Sequence, residues 1–374
     1  MARLNNPFVV YGYKGPEYFC DRVAESNKIC SALRNERNVT LVSPRRMGKT
    51  GLIHHVFNKM VTEDKECKCF YIDIFATKNI EQFVQTLGSA VIGKLDSFSQ
   101  SALRKIQEFF SAWRPAVTFD QLTGLPTVTL DIKQNEGNES LKQIFEYMKM
   151  SGKRCYIAID EFQQIQNYSE RGLEALLRSY IQFLPNVYFI FSGSHQHMME
   201  EMFLSANRPF FQSSMVMSLG CIDFEEYMQF ANRMIEGQNR TIGQETFQRI
   251  YDFAGGITWY VQAILHGIYE HPDRIVDNTL VDDVVKELVE EQSATFQNYC
   301  AWLTDNQYAL LKAIAYEKSV KSPLAQQFIH THHLPATSSV KTALRTLEDK
   351  MLVSRSANDG YSVSDKLFAL WLLR

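Results

Sequence analysis

Val39-Thr-Leu-Val-Ser-Pro-Arg-Arg-Met-Gly-Lys-Thr-Gly-Leu-Ile53 decides the fold. Val39 to Val42 is a short β-branched, apolar run, the signature of a buried strand. Pro44 stops it. From Gly48-Lys49-Thr50 onward, Leu52, Ile53, Val56, Phe57 and Met60 recur at helical spacing. Strand, tight loop and Gly-Lys-Thr at a helix start form the context that a phosphate-binding loop requires. In such a loop, backbone N–H groups and the helix N-terminus turn partial positive charge toward an anion. Lys49 is placed to reach β- and γ-phosphates, and the Thr50 hydroxyl to hold Mg²⁺. Ser43 stands where the motif asks for Gly. A plain strand-to-helix loop is therefore the competing explanation, and the rest of the chain decides between them.

The strands that follow repeat the first. Cys69-Phe-Tyr-Ile-Asp-Ile-Phe75, Arg154-Cys-Tyr-Ile-Ala-Ile-Asp160, Asn186-Val-Tyr-Phe-Ile-Phe-Ser-Gly-Ser194 and Ser213 to Leu219 are nearly continuous apolar runs. Helical segments separate them: about Ile80 to Leu95, Ser99 to Phe110, up to about Lys149, and Gly172 to Phe183. Another helix, about Arg22 to Leu33, precedes the first strand. Continuous apolar strands alternating with helices mean an α/β protein with a parallel sheet covered on both faces. Ala116 to Ile132 alternates around Asp120-Gln-Leu-Thr-Gly124 and is expected to be an inserted β-hairpin. Beyond residue 220 the pattern is helical: Phe224 to Ile235, Gln244 to Phe253, Gly255-Gly256, Trp259 to Tyr269, and Leu280 to Tyr299. Asp305 to Ala315, Ser322 to His330 and Ser338 to Lys350, then a hairpin from Met351 to Ser364, give three helices and a wing, the winged-helix pattern.

Ligands of open parallel sheets bind beyond the carboxyl ends of the strands. Ser43, Asp160 and Ser192 all fall at such ends. Asp160 closing a buried strand suits Mg²⁺, and Glu161 next to it suits activation of water. A solvated acidic turn is the bland alternative. Ser192-Gly193-Ser194 offers a hydroxyl that senses the γ-phosphate, or simply a tight turn; Ser192 is the candidate. Arg45 and Arg46 lie inside the loop. Arg178 and Arg208 are further candidates for a charge-stabilising arginine, although each is more simply a surface residue. His54-His55, His195-x-His197 and His330-x-His332-His333 lack Cys or carboxylate partners at metal-site spacing. On the third helix of the wing module, Lys341 and Arg345 share one face while Val340, Leu344 and Leu347 share another. That helix could enter a DNA groove, but Glu348 and Asp349 dilute its charge, and a protein-contact role is as good.

Composition fits these assignments. The 374 residues allow two or three domains; 45% are hydrophobic and 22% charged, and the net charge of -3 gives no global basic field for nucleic acid. The seven cysteines are scattered, as in reduced cytosolic chains. The N-terminus lacks an apolar signal core, and no run approaches the roughly 18 apolar residues of a membrane helix. A cytoplasmic location without membrane contact is the expectation.

Val42-Ser-Pro-Arg-Arg-Met-Gly-Lys-Thr50, Ile159-Asp-Glu-Phe-Gln163 and Phe191-Ser-Gly-Ser194 together resemble the archaeal-type ATPase group of the AAA+/STAND P-loop NTPases, which occurs in archaea and in bacteria such as Bacteroidetes. The resemblance covers nearly the whole chain. It includes Phe19-Cys-Asp-Arg22, where the family has an aromatic–Arg box beside the adenine, and Gly255-Gly256, where relatives carry a Gly-Gly-x-Pro-like lid motif. It implies an ASCE core with strand order 5-1-4-3-2, a helical lid and a C-terminal winged helix. The expected divisions are residues 1–220 for the core, with the hairpin insertion at about 100–140, 221–298 for the lid and 299–374 for the winged helix. By position, the resemblance makes Ser43, Pro44, Arg45, Arg46, Met47, Gly48, Lys49, Thr50 and Gly51 the ATP-binding loop, with Phe19 and Arg22 beside the base. It makes Thr50 and Asp160 the Mg²⁺ residues, and Glu161, Lys49 and Ser192 catalytic. Three departures stand out: Ser43 for Gly, no Pro after Gly255-Gly256, and Phe211-Gln212 where relatives often carry Gly-Arg. The function implied is an ATP-binding, slowly hydrolysing molecular switch with ATP/ADP as ligands and a protein partner possible. The rival functions are a winged-helix DNA-binding regulator with a weakly hydrolytic nucleotide domain, and a small-molecule phosphotransferase.

Overall fold

The computed structural model describes residues 4–95, 113–119, 126–132, 136–356 and 360–374. The helix expected over Ser99 to Phe110 and the hairpin turn Asp120 to Gly124 lie outside them. The chain forms two compact units, one of residues 11–227 with 257–259, the other of the chain up to Val10 with 228–256 and 260–374.

In the first unit, α1 (Val23–Arg34) leads into β1 (Val39–Val42), α2 (Lys49–Glu63), β2 (Lys68–Asp73) and α3 (Ile80–Leu95). The hairpin expected between residues 116 and 132 is the antiparallel pair β3 (Trp113–Phe119) and β4 (Pro126–Ile132). Then follow α4 (Gly137–Met150), β5 (Cys155–Asp160), α5 (Leu173–Ile181), β6 (Val187–Gly193), α6 (Gln196–Leu204) and β7 (Met215–Ser218). The sheet runs β2-β5-β6-β1-β7, all parallel. Counted over the parallel strands alone, this is the expected 5-1-4-3-2.

Side chains of one strand alternate between the two faces of a sheet. In β5, Tyr156 and Ala158 join the core under α1 and α2, with Ile29, Leu33, Leu52, Ile53 and Val56. Cys155, Ile157 and Ile159 join the opposite core, with Val84, Leu87, Leu141, Ile144 and Leu177. Every residue of β1, β5 and β6 is buried. A strand buried on both sides has no polar face, which is why these runs read as unbroken apolar sequence. Each fully buried Ile or Phe contributes roughly 1.5–3 kcal/mol.

The second unit begins at the N-terminus. Phe8 is fully buried edge-on to Phe230 and Tyr269, and Asn6 donates to the His266 carbonyl at 3.0 Å. The helix α7 (Phe224–Ile235) enters the unit, followed by α8 (Gln244–Ala254), α9 (Thr258–Glu270), α10 (Asn278–Glu291) and α11 (Ser293–Ala301). The winged helix comprises α12 (Asp305–Glu317), α13 (Gln326–Thr331), α14 (Thr337–Asp349), the hairpin β8 (Val353–Ser356) with β9 (Gly360–Val363), and α15 (Lys366–Leu372). Val320 bridges to Tyr361 and adds a third short strand. Thr304 and Gln307 close a capping box at the start of α12.

Two helices differ from expectation. The one expected over Ser322 to His330 starts only at Gln326: Ser322, before Pro323, avoids helical dihedrals, and Ser322 to Ala325 form a turn closed by the Ala325 N–H on the Ser322 carbonyl. The other, α15, was not anticipated. Asp365 caps it by accepting from the Leu367 and Phe368 N–H groups.

Candidate functional site

β1 delivers the loop. Ser43 continues the ladder, its N–H 3.5 Å from the Gly193 carbonyl. Arg46 and Gly48 take left-handed backbone, φ 69° and 87°, whereas Ser43 does not. The conformational freedom that glycine supplies is therefore needed at Gly48 and not at Ser43, which explains physically why serine fits there. Lys49 opens α2, so the loop ends on a helix N-terminus. The Lys49 side chain is buried, and its Nζ donates to the Ser43 and Pro44 carbonyls at 2.9 and 3.0 Å. Burial pushes its pKa down, while the charges of Glu161 and Asp160 pull it up and that of Arg45 lowers it further. The ammonium is thus held inside the loop by carbonyls that an anion can replace.

Opposite the loop stands Asp160, at the end of β5 and only 4% exposed. Its Oδ2 accepts from the Thr50 hydroxyl at 3.0 Å and from the Tyr71 hydroxyl at 2.7 Å; its Oδ1 accepts from the Glu161 N–H at 3.0 Å. Burial, then the Asp160 charge, holds the Tyr71 phenol well above its usual pKa, so it stays a donor. Thr50 and Asp160 are 110 positions apart and meet because β5 ends beside the start of α2. A hydroxyl and a carboxylate in contact, with a fixed donor behind the carboxylate, is a donor set that suits Mg²⁺. Among the described residues no group of three or more His, Cys, Asp or Glu gathers for a metal, here or elsewhere.

Glu161 has left-handed backbone, φ 55°. Its Oε2 accepts from Gln163 Nε2 at 2.5 Å and Ser194 Oγ at 2.7 Å. Gly193 makes room for this: a Cβ there would come within 2.6 Å of the Met199 side chain and collide with Gln163 Oε1. Ser192 is fully buried, and its hydroxyl has no hydrogen-bond partner among the described residues. The hydroxyl that touches Glu161 therefore belongs to Ser194, two residues beyond Ser192. His195, which caps α6, has its pKa lowered by burial and by Arg45, against the opposing charge of Glu161.

The remaining expected residues surround the loop. Arg22 is buried, donates to Glu25 at 2.9 Å and reaches the Met47 carbonyl at 3.4 Å. The Phe19 ring stacks on His55 at 4.3 Å and lies over Gly51. Tyr13 OH meets His55 Nδ1 at 3.1 Å, and His54 packs at 4.6 Å on Tyr71. The His54-His55 pair thus joins a ring cluster that runs from Phe19 to the Tyr71 hydroxyl. The segment after Gly255-Gly256 also reaches the loop without a proline: Thr258 Oγ1 donates to the Met47 carbonyl at 3.2 Å, and the Trp259 N–H to the Arg46 carbonyl at 3.0 Å. The Arg46 guanidinium lies 4.6 Å over the Trp259 ring. Arg208 is elsewhere, bound to Glu174 and Glu201, and Arg178 donates to Gln182. Gln163 lay inside the Ile159-Asp-Glu-Phe-Gln163 stretch without a role of its own; Tyr71, Thr258 and Trp259 carried no motif signal, and only their positions near strand and helix ends set them apart.

Comparison with known proteins agrees with this fold. Residues 19–264 match the model of an ATPase domain predominantly from Archaea, and residues 294–374 that of a probable winged helix domain. An uncharacterised ATP-binding protein of Methanocaldococcus jannaschii is 26% identical over 270 residues, 66% of this chain and 69% of that one. Among solved structures, the Walker-type ATPase of Pyrococcus abyssi superposes with a TM-score of 0.67 at 17% identity, covering 98% of this chain and 100% of the other. The ORC2 protein of Aeropyrum pernix, in its ADPNP–ADP complexes, gives a TM-score of 0.60 at 15% identity over 99% and 96%.

Proposed function

The chain belongs to the family of ATPase domains found predominantly in Archaea, and from that premise we propose that it binds ATP with Mg²⁺ at the loop after β1, hydrolyses it slowly and acts as a nucleotide-dependent switch. The observation that carries this is the meeting of Thr50 and Asp160 at 3.0 Å beside a buried lysine. Ser43 to Gly51 would surround the phosphates, with Lys49 turning from the loop carbonyls to the β- and γ-oxygens. Thr50 and Asp160 would hold Mg²⁺, which supplies charge neutralisation on the phosphates. Glu161 would take the proton of the attacking water, oriented by Gln163 and Ser194. Phe19 and Arg22 would line the base. Thr258 and Trp259 hold the loop backbone from within the same unit, so a loop rearranged by nucleotide would move that segment with it. Two states that nucleotide binds unequally are what a switch requires.

In this account residues 1–220 act as the core, 221–298 as the lid and 299–374 as the winged helix, in the cytoplasm, where scattered cysteines stay reduced thiols. Calorimetry with Mg·ATP tests the site. Wild type should bind, and Lys49→Ala should lose about 10- to 150-fold in affinity, since a charge-assisted contact contributes roughly 1.5–3 kcal/mol. Equal affinities would end the assignment. The switch is tested by small-angle scattering: identical envelopes with ADP, a non-hydrolysable ATP analogue and no nucleotide would refute it. No helix among the described residues is long and apolar enough to cross a membrane.

One observation favours a second reading. Lys341 and Arg345 are exposed on α14, while Val340, Leu344 and Leu347 are buried, so the basic side of that helix is presented outward. A DNA-binding role predicts salt-dependent affinity that is lost on Lys341→Glu with Arg345→Glu.

A further inference from the structure

The two arginines of the loop are in different situations. Arg46 is engaged through both its carbonyl and its guanidinium, each against Trp259. Arg45 is exposed, and among the described residues no salt bridge engages it. Its guanidinium lies 5.7 Å from the centre of the Phe75 ring, itself 55% exposed. A cation over an exposed ring is held weakly.

The position of that ring matters. Arg45 leaves the loop that follows β1, and Phe75 stands two residues past the end of β2. β6 and β5 lie between those strands in the sheet, a separation of three strand spacings, or about 14 Å between axes. Arg45 and Phe75 therefore meet over the carboxyl ends of β6 and β5, the second of which ends in Asp160 and leads into Glu161. Asp73 pairs in register with Asp160, and its carboxylate anchors the Phe75 N–H at 2.8 Å. Burial, opposed by that N–H bond, and the neighbouring Asp160 and Glu161 charges leave the Asp73 pKa raised. The Arg45 charge is felt at Lys49 and at His195, and His195 also feels Glu161. One electrostatic neighbourhood thus holds Lys49, Glu161 and the exposed Arg45 guanidinium. The other arginines considered are occupied: Arg208 by Glu174 and Glu201, Arg178 by Gln182.

Resting on the ATPase reading, we propose that Arg45 is a catalytic residue supplied in cis, which leaves the Phe75 ring when ATP binds and donates to the γ-phosphoryl oxygens. Water attacks the γ-phosphorus and its proton passes to Glu161. The bond to the β–γ bridging oxygen breaks, and its electron pair stays on ADP. Arg45 neutralises charge on the equatorial oxygens during transfer and discriminates ATP from ADP, because ADP offers nothing at that position. A guanidinium in this role accelerates transfer by about 10³–10⁵-fold. A chain that carries its own arginine turns over without a second copy.

The test uses the full chain and two readouts, affinity for ADP and for a non-hydrolysable ATP analogue by calorimetry, and single-turnover hydrolysis. Arg45→Ala should leave ADP affinity within about threefold, cost at least about tenfold in preference for the triphosphate, and slow turnover by about 10³-fold. Arg45→Lys should recover little of it, since lysine lacks the planar fork. Wild-type turnover per chain should not rise with protein concentration. Unchanged triphosphate preference and turnover in Arg45→Ala, while Lys49→Ala weakens binding, would overturn this proposal and leave the ATPase reading standing. Equal losses of ADP and triphosphate affinity would overturn it too, by making Arg45 a structural loop residue. If Lys49→Ala binds like wild type, both fall together.

Discussion

Tyr71→Phe removes one oxygen from the centre of the site. The ring stays, with its packing on His54 at 4.6 Å. What is lost is the 2.7 Å hydrogen bond to Asp160 Oδ2, one of three donors on a carboxylate that is 4% exposed. A hydrogen bond to a charged group contributes about 1.5–3 kcal/mol net. For a unit of about 220 residues, at about 2–4 °C per kcal/mol, a loss near 2 kcal/mol lowers the melting point by about 4–8 °C. Mg²⁺ on Asp160 would replace the missing positive end of the dipole with a full charge. The deficit should therefore shrink to less than half in saturating Mg·ATP, while ATP without Mg²⁺ should not shrink it. Differential scanning calorimetry of both proteins under the three conditions measures this. An apo melting point within about 1 °C of wild type, or a deficit that Mg·ATP leaves intact, would refute the reasoning. Because the folded-state pKa of Tyr71 is raised, its stabilisation is complete below the ordinary phenol value of about 10 and is lost as pH rises beyond it. Tyr71→Phe should remove that part of the alkaline sensitivity.

Lys49 is shifted in the opposite direction, yet its contribution is also lost as pH rises. Burial lowers its folded pKa, so the charged form is lost below the ordinary lysine value of about 10.4; nucleotide affinity should be full at neutral pH, fall as pH rises toward that value, and be accompanied by proton uptake seen as a buffer-dependent calorimetric enthalpy. Ser194→Ala should slow hydrolysis by about tenfold at unchanged nucleotide affinity, the loss of one hydrogen bond to a charged group. Ser192→Ala deletes a buried hydroxyl without a partner among the described residues and should leave the melting point unchanged or raised. Trp259→Ala removes the ring under Arg46 and should weaken nucleotide binding by a few-fold, since a cation–ring contact contributes about 0.5–2 kcal/mol.

Strands β1, β5 and β6 were legible because burial on both faces leaves no polar residue to interrupt the run. The loop was legible because Gly48 must adopt positive φ and Lys49 must follow it at the helix start. Strand order came from resemblance, since apolar runs do not reveal which strand lies next to which. Partners distant in sequence were invisible. Tyr71 meets Asp160 across 89 positions and Trp259 meets Arg46 across the whole sheet domain, and neither pairing leaves a local pattern. The choice between Ser192 and Ser194 turned on where β6 ends. A residue inside the strand is walled in by its neighbours; one just past it can turn toward Glu161. The start of α13 is legible only in part: Pro323 excludes Ser322 from a helix, but nothing local marks the turn that carries the chain to Gln326.

The central claim is that Glu161, held by Ser194 and Gln163, activates water for attack on bound ATP. Phosphate release by wild type and Glu161→Gln, at saturating Mg·ATP, tests it most directly. The account predicts slow but measurable release by wild type and a loss of about 10²–10⁴-fold in Glu161→Gln, with ATP affinity retained. Equal release by the two proteins, or none by either despite tight binding, would contradict it.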